Sequence, residues 1–327
     1  MTLFLNQRRS IFNETGAPIP ELPAQVTAEV TFAPEDAFGA LGAQVRTTVP
    51  LGTSIRTHWN MNEGITWFDG EVIEPISISL AEKGLDFAFQ GNVLTLRFTA
   101  TSIEEVQGIG EWVVLLLPPF LTMQLRVFVW IKMFLFDMGG NQYNFGVRSS
   151  APGAFNVSTT ESASARIEQG LRDALEIQEN ELRIVSAMHY YRHALWLFEF
   201  DQSRQSMVAE VILNLTKAIE IIASNDRDKI REVAAALGYN SDEIEKHIIR
   251  LSVIRNKLDV AHVATGPMSE SERAIVQDFA TSAFAVVREF IERVLAGVRA
   301  GTVTLKPISS KLDTEKRKLL EDIANYS

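Results

Sequence analysis

Residues 208–222 read VAEVILNLTKAIEII, with apolar members at Val208, Val211, Ile212, Leu215, Ala218, Ile219 and Ile222. Steps of three and four place all seven on one stripe of an α-helix, because its 3.6-residue turn brings i, i+3, i+4 and i+7 together. The spacing therefore predicts a helix with one buried face. The same period holds through most of the C-terminal half. Ile167, Leu171, Leu175, Leu182 and Val185 mark a long amphipathic helix, or two in succession. Gly238 is placed to end a short helix begun at Asp226, and Ser241 to cap the next one. Helices are expected over about 242–263 and 269–300, with another in the tail from Lys311 to Tyr326.

The N-terminal half has a period of two instead. Ile76, Ile78 and Leu80 alternate with Ser77 and Ser79, and Leu94, Leu96 and Phe98 with Thr95, Arg97 and Thr99. Phe87 and Phe89 precede Gln90-Gly91-Asn92, a polar break with a glycine that signals a hairpin, and Gly139-Gly140-Asn141 is a second turn. From Thr122 onward, Met123, Leu125, Val127, Val129, Ile131, Met133 and Leu135 share one parity, which predicts a long strand with an aliphatic face. Arg126, Phe128, Trp130 and Lys132 share its other face, where they either pack under a second layer or stack bases and bind phosphates. Trp112 to Phe136 has the apolar content of a membrane span, but Pro118, Pro119, Gln124, Arg126 and Lys132 lie within it. No membrane association is expected.

These two periods predict an α+β protein. An N-terminal antiparallel β sandwich or barrel-like domain, residues 1–148, precedes an all-α helical bundle, residues 163–327, whose core spans about 185–300. The linker, residues 149–162, begins at Ser149-Ser150-Ala151-Pro152-Gly153 and ends in the capping pattern Ser158/Glu161.

Composition narrows the function classes. The 327 residues carry a formal net charge of −10, which argues against broad DNA or RNA coating and against a polybasic membrane role. A small basic cleft acting on one phosphate remains compatible. The absence of cysteine removes disulfides, thiolate nucleophiles and Cys-based zinc sites. His189 and His193, at i and i+4, have metal-binding spacing but no third ligand nearby, so no metal and no cofactor are expected. The first ten residues, MTLFLNQRRS, lack the apolar run of a signal peptide, and a cytoplasmic location is expected.

The chemistry concentrates on the helix expected after Ser241. Ile244, Ile248, Leu251 and Leu258 define its buried stripe. Arg255 and His262 lie two turns apart, nearly one above the other, with Asp259 between them at the margin of the stripe. Ordinary ion pairing of Asp259 with Arg255 and His262 accounts for this spacing as well as a site does.

Residues 252–263, SVIRNKLDVAHV, closely resemble the signature of HEPN domains, which is an Arg, a polar residue immediately after it, and a His a few residues later near a helix end. Here Arg255, Asn256 and His262 match, with six intervening residues, the upper limit of the family range. The upstream helix ending Ala218-Ile-Glu220 is similar to the family's second core helix, and the nearest variety is the ApeA-like group, in which a β domain precedes the bundle. The resemblance covers roughly residues 185–300. It implies a homodimer in which two such helices face each other across a cleft, with metal-independent RNA cleavage as the activity. His262 would move protons during attack of a ribose 2′-hydroxyl on the adjacent phosphate, since its ordinary pKa lies near working pH. Arg255 would hold the phosphate, and Asn256 would orient the phosphate or the imidazole. Asp259, Glu220 and Arg192 are candidate supporting residues. A role in phage defence or as a toxin follows from the resemblance, with the β domain sensing a trigger or restraining the nuclease. The alternative is a non-catalytic HEPN homodimer whose β domain binds a ligand, a nucleotide or a partner.

Overall fold

A computed structural model describes residues 11–12, 20–38, 56–60, 64–68, 77–82, 84–145, 163–200, 207–257, 269–305 and 318. Its strands are β1 (Ile11–Phe12), β2 (Ala24–Ala33), β3 (Arg56–Asn60), β4 (Gly64–Phe68), β5 (Ser77–Glu82), β6 (Leu85–Gln90) and β7 (Val93–Ala100). After helix α1 (Ile103–Leu125) come β8 (Trp130–Met138) and β9 (Asn141–Phe145). The C-terminal half contains α2 (Ala163–Glu176), α3 (Leu182–Phe200), α4 (Val208–Ala223), α5 (Arg227–Ala236) and α6 (Ser241–Glu243). A π-helical stretch, Ile244–Ile249, runs into α7 (Arg250–Lys257), and α8 (Glu270–Arg299) follows. The protein is α+β.

The two predicted hairpins are present. Gln90 pairs with Val93 across Gly91 at φ 57°, and Met138 pairs with Asn141 across Gly139 and Gly140 at φ 62° and 82°. Positive φ at both central residues of the second turn is what a two-residue hairpin demands, and two glycines supply it without a Cβ clash. The described strands do not make a sandwich or a barrel. They form a single antiparallel sheet in the order β1-β9-β8-β2-β7-β6-β5, plus a separate β3-β4 ribbon. On β2, Val26, Ala28, Val30 and Phe32 alternate onto the buried face, which helix α1 covers. Trp112 of α1 meets Phe87 edge-on at 6.2 Å, and Gly110 packs so closely on Phe145 that a Cβ there would lie 2.7 Å from the ring.

Helix α1 corrects the long strand expected from Thr122. The chain is helical to Leu125, with Pro118 and Pro119 inside the helix, and extended only from Trp130. A proline costs a helix about 3 kcal/mol or more through its lost donor and ring clash. Here the eight consecutive residues from Leu116 to Met123 are buried, which offsets that cost. Arg126 closes the helix at φ 60°, its N–H donating to the Thr122 carbonyl, and the Thr122 hydroxyl accepts the Val129 N–H at 3.0 Å. By length and composition alone α1 could cross a bilayer, and most of its apolar window is buried in the fold.

On its other side α1 meets the bundle. A Cβ on Gly170 of α2 would contact Gln124 and Leu121, and His189 of α3 is hydrogen-bonded at the Leu115 backbone. The bundle helices follow the predicted stripe, with Val208, Val211, Ile212, Leu215, Ala218, Ile219 and Ile222 all buried. The cap before α6 is Asn240, one residue earlier than expected, in a reciprocal capping box with Glu243. The expected linker, residues 149–162, and all of the tail from Lys311 except 318 lie outside the described residues.

Candidate functional site

Arg255 and Asn256 sit in the last turn of α7. That turn is placed by the stretch before it, where the π-helical segment inserts its extra residue per turn and Ile244, Ile248, Ile249, Leu251 and Ser252 become buried. The margin of this face turns Arg255 toward α4. There its Nη1 donates to Oε1 of Glu220, a short ion pair between the two helices, with side-chain exposures of 25% and 15%. Nε of Arg255 is buried and has no hydrogen-bond partner among the described residues. Asn256, next to it, is exposed. The pair therefore holds one edge of the guanidinium and leaves the motif's polar residue facing outward. A guanidinium has five donors, and a carboxylate on one of them keeps the plane oriented while other donors remain for an anion.

His262 and Asp259 lie outside the described residues, so the structure brings together Arg255, Asn256 and Glu220 from the expected constellation. Arg192, the remaining supporting residue, is turned toward the sheet. Its Nε donates to the Val129 carbonyl at 3.0 Å, and its guanidinium stacks 4.3 Å from the centre of the Phe128 ring. Burial pushes its pKa down to about 10, since no carboxylate among the described residues pairs with it. Phe128 stacks in turn on Trp130 at 5.7 Å, and Lys132 pairs with Glu35 at 2.8 Å. The basic and aromatic residues expected on one strand face thus serve three different contacts, and Arg126 is the helix cap.

Around Arg192 the charge is positive. The His189 imidazole is pushed down to about 4, first by burial and then by Arg192, against a hydrogen bond at the Leu115 backbone. Exposed His193 is also lowered, by partial burial and then by Arg192 and Lys217. Lys217, from α4, holds Nζ 5.7 Å from the Tyr190 ring centre. The sequence signal for Lys217 is slight: it sits one turn before Glu220 at a polar position on the edge of an otherwise apolar stripe. Among the described residues no cluster of three His, Asp or Glu is arranged to hold a metal ion.

No family model, curated protein or solved structure matches the chain.

Proposed function

We propose that the chain is a HEPN-type, metal-independent endoribonuclease acting as a homodimer in the cytoplasm, in phage defence or as a toxin. The observation that carries this reading is the way the ion pair between Glu220 and Arg255 holds the guanidinium through Nη1, with its buried Nε unpartnered among the described residues. The pair ties the last turn of α4 to the last turn of α7 and leaves Asn256 exposed beside the guanidinium. The resemblance singles out both ends of that contact separately: Glu220 as the end of the Ala-x-Glu helix and Arg255 as the motif arginine. In the proposed reaction His262 takes the 2′-hydroxyl proton as the oxygen attacks phosphorus. The P–O5′ bond breaks to leave a 2′,3′-cyclic phosphate, and the departing 5′-oxygen takes a proton from the His262 imidazolium or from water and leaves as a 5′-hydroxyl. Arg255 stabilises the charge on the non-bridging oxygens. The N-terminal sheet would sense a trigger or restrain the nuclease.

A second reading also has an observation behind it. Glu220 belongs to the same chain as Arg255 and neutralises it there, which suits a non-catalytic dimer that uses the pair as a structural strut. Cleavage of RNA in EDTA separates the two. Arg255→Ala and His262→Ala are expected to lower the rate by about a hundredfold or more. If the parent and both variants cleave equally, the site is not catalytic and the strut reading replaces the nuclease.

A further inference from the structure

The outer face of α3 and α4 carries a ridge that the Arg255 motif does not use. Tyr190, His193 and Trp196 advance along α3 by threes and so share one side of it. His193 is exposed and stacks on the Trp196 indole, with ring centres 5.4 Å apart and planes at 30°. Beside it, Lys217 rests over Tyr190. Neither Lys217 nor Arg192 takes part in an ion pair among the described residues. The largely buried Arg192 lies behind the ridge, where its Nε donates to the Val129 carbonyl and its guanidinium stacks on Phe128. The His193 imidazole feels both charges, since Arg192 and Lys217 lower its pKa after burial does. A cation removed from water without a counter-ion is costly, and an arriving anion relieves that cost.

We propose that this ridge is a subsite for single-stranded RNA, in which one base stacks on the outward face of His193 and the neighbouring phosphate pairs with Lys217. The His193–Trp196 stack gives the base a platform two rings deep, and imidazole and indole are both sequence-tolerant stacking partners. Lys217 is one turn from Glu220 along α4, so the ridge and Arg255 are neighbours on one helical surface and a strand lying across both would pass from one to the other. A second copy of the chain suits the ridge less well. Two copies meeting there would bring together cations that make no ion pair among the described residues, which costs affinity. The identity of the polymer rests on the ribonuclease reading, whereas the stacking and charge do not.

The test is fluorescence anisotropy of a labelled oligouridylate RNA with the full-length chain carrying His262→Ala, so that cleavage does not consume the probe. Lys217→Ala is expected to weaken binding about five- to tenfold and to reduce the salt slope by about one. His193→Ala should cost about fivefold, and His193→Phe, which keeps a ring face, should restore most of it. Lys229→Ala removes an exposed cation on α5 and should change nothing. Parental binding by both the Lys217 and the His193 variants, or an equal loss on Lys229→Ala, overturns the proposal. So does a change in oligomeric state on gel filtration with RNA affinity intact, which would make the ridge a dimer face. If Arg255→Ala and His262→Ala cleave like the parent while Lys217→Ala still loses RNA, the nuclease reading fails and the ridge stands. Loss of cleavage with unchanged binding by the ridge variants gives the reverse.

Discussion

Arg255 and Glu220 show how much an ion pair depends on where it sits. Exposed pairs contribute about 0–1 kcal/mol, whereas breaking a buried one costs about 3–5 kcal/mol because a charge is left behind. With a quarter or less of each side chain exposed, this pair falls between. A double-mutant cycle of Glu220→Gln and Arg255→Gln, read by urea unfolding, is expected to give a coupling of about 1–3 kcal/mol. A coupling near zero would mean the two side chains do not meet in solution. His189 poses a different problem, since the fold keeps its imidazole neutral with a pKa of about 4. Between that value and the unfolded 6.5, the unfolded chain binds a proton that the folded chain refuses. Its contribution is therefore complete above about pH 6.5 and is lost as the pH falls toward 4, by up to about 3 kcal/mol. Unfolding midpoints at pH 7 and 4.5 should differ less in His189→Gln than in the parent. An unchanged difference would place the acid sensitivity elsewhere.

At the level of elements, the sequence is most legible where one force acts alone. The stripe of α4 and the turns at Gly91 and Gly139-Gly140 needed only a period and a permitted φ. Trp112 to Phe136 misled because two devices overlap in it. Burial from both sides carries a helix through Pro118-Pro119, and no local pattern encodes that burial. The strand then contains a bulge. Thr31 pairs with Met133 and Phe32 with Ile131, which leaves Lys132 unopposed, so the buried parity switches from Ile131 to Phe134, Phe136 and Met138, and Met133 is 40% exposed. The candidate site was legible through Arg255, Asn256 and Glu220, which the motif and the helix end name. The π-helical stretch before α7 was not, because nothing in IEKHII departs from an ordinary helical pattern. Arg126 offers a direct check on α1. A non-glycine residue in the left-handed region costs about 1 kcal/mol, so Arg126→Gly is expected to leave stability unchanged or raise it by up to that amount. A loss of more than about 1 kcal/mol on thermal unfolding would give the Arg126 side chain a structural role of its own.

Across the whole molecule, the buried apolar residues of sheet, α1 and bundle form one continuous cluster. Arg299, at the end of α8, fastens the far side of it. Its Nη1 donates to Asp173 at 2.5 Å and its Nε to Glu181 at 3.2 Å, and these acids have side-chain exposures of only 7% and 2%. Arg299→Met would leave both carboxylates uncompensated and is expected to cost about 2–4 kcal/mol, seen as a lower melting temperature. No change would mean the acids find other partners. A chain joined this way should melt in a single transition followed equally by far-ultraviolet and tryptophan signals.

Helix α1 has a further consequence, for synthesis. It leaves the ribosome before β8 and β9, which complete the sheet beneath it, and before α2 and α3, which roof it. Until Leu182–Phe200 has been made, the nascent chain displays a 23-residue helix rich in Leu and Val with one side bare. That interval is when chaperones, or machinery that recognises apolar segments, would compete with folding for it.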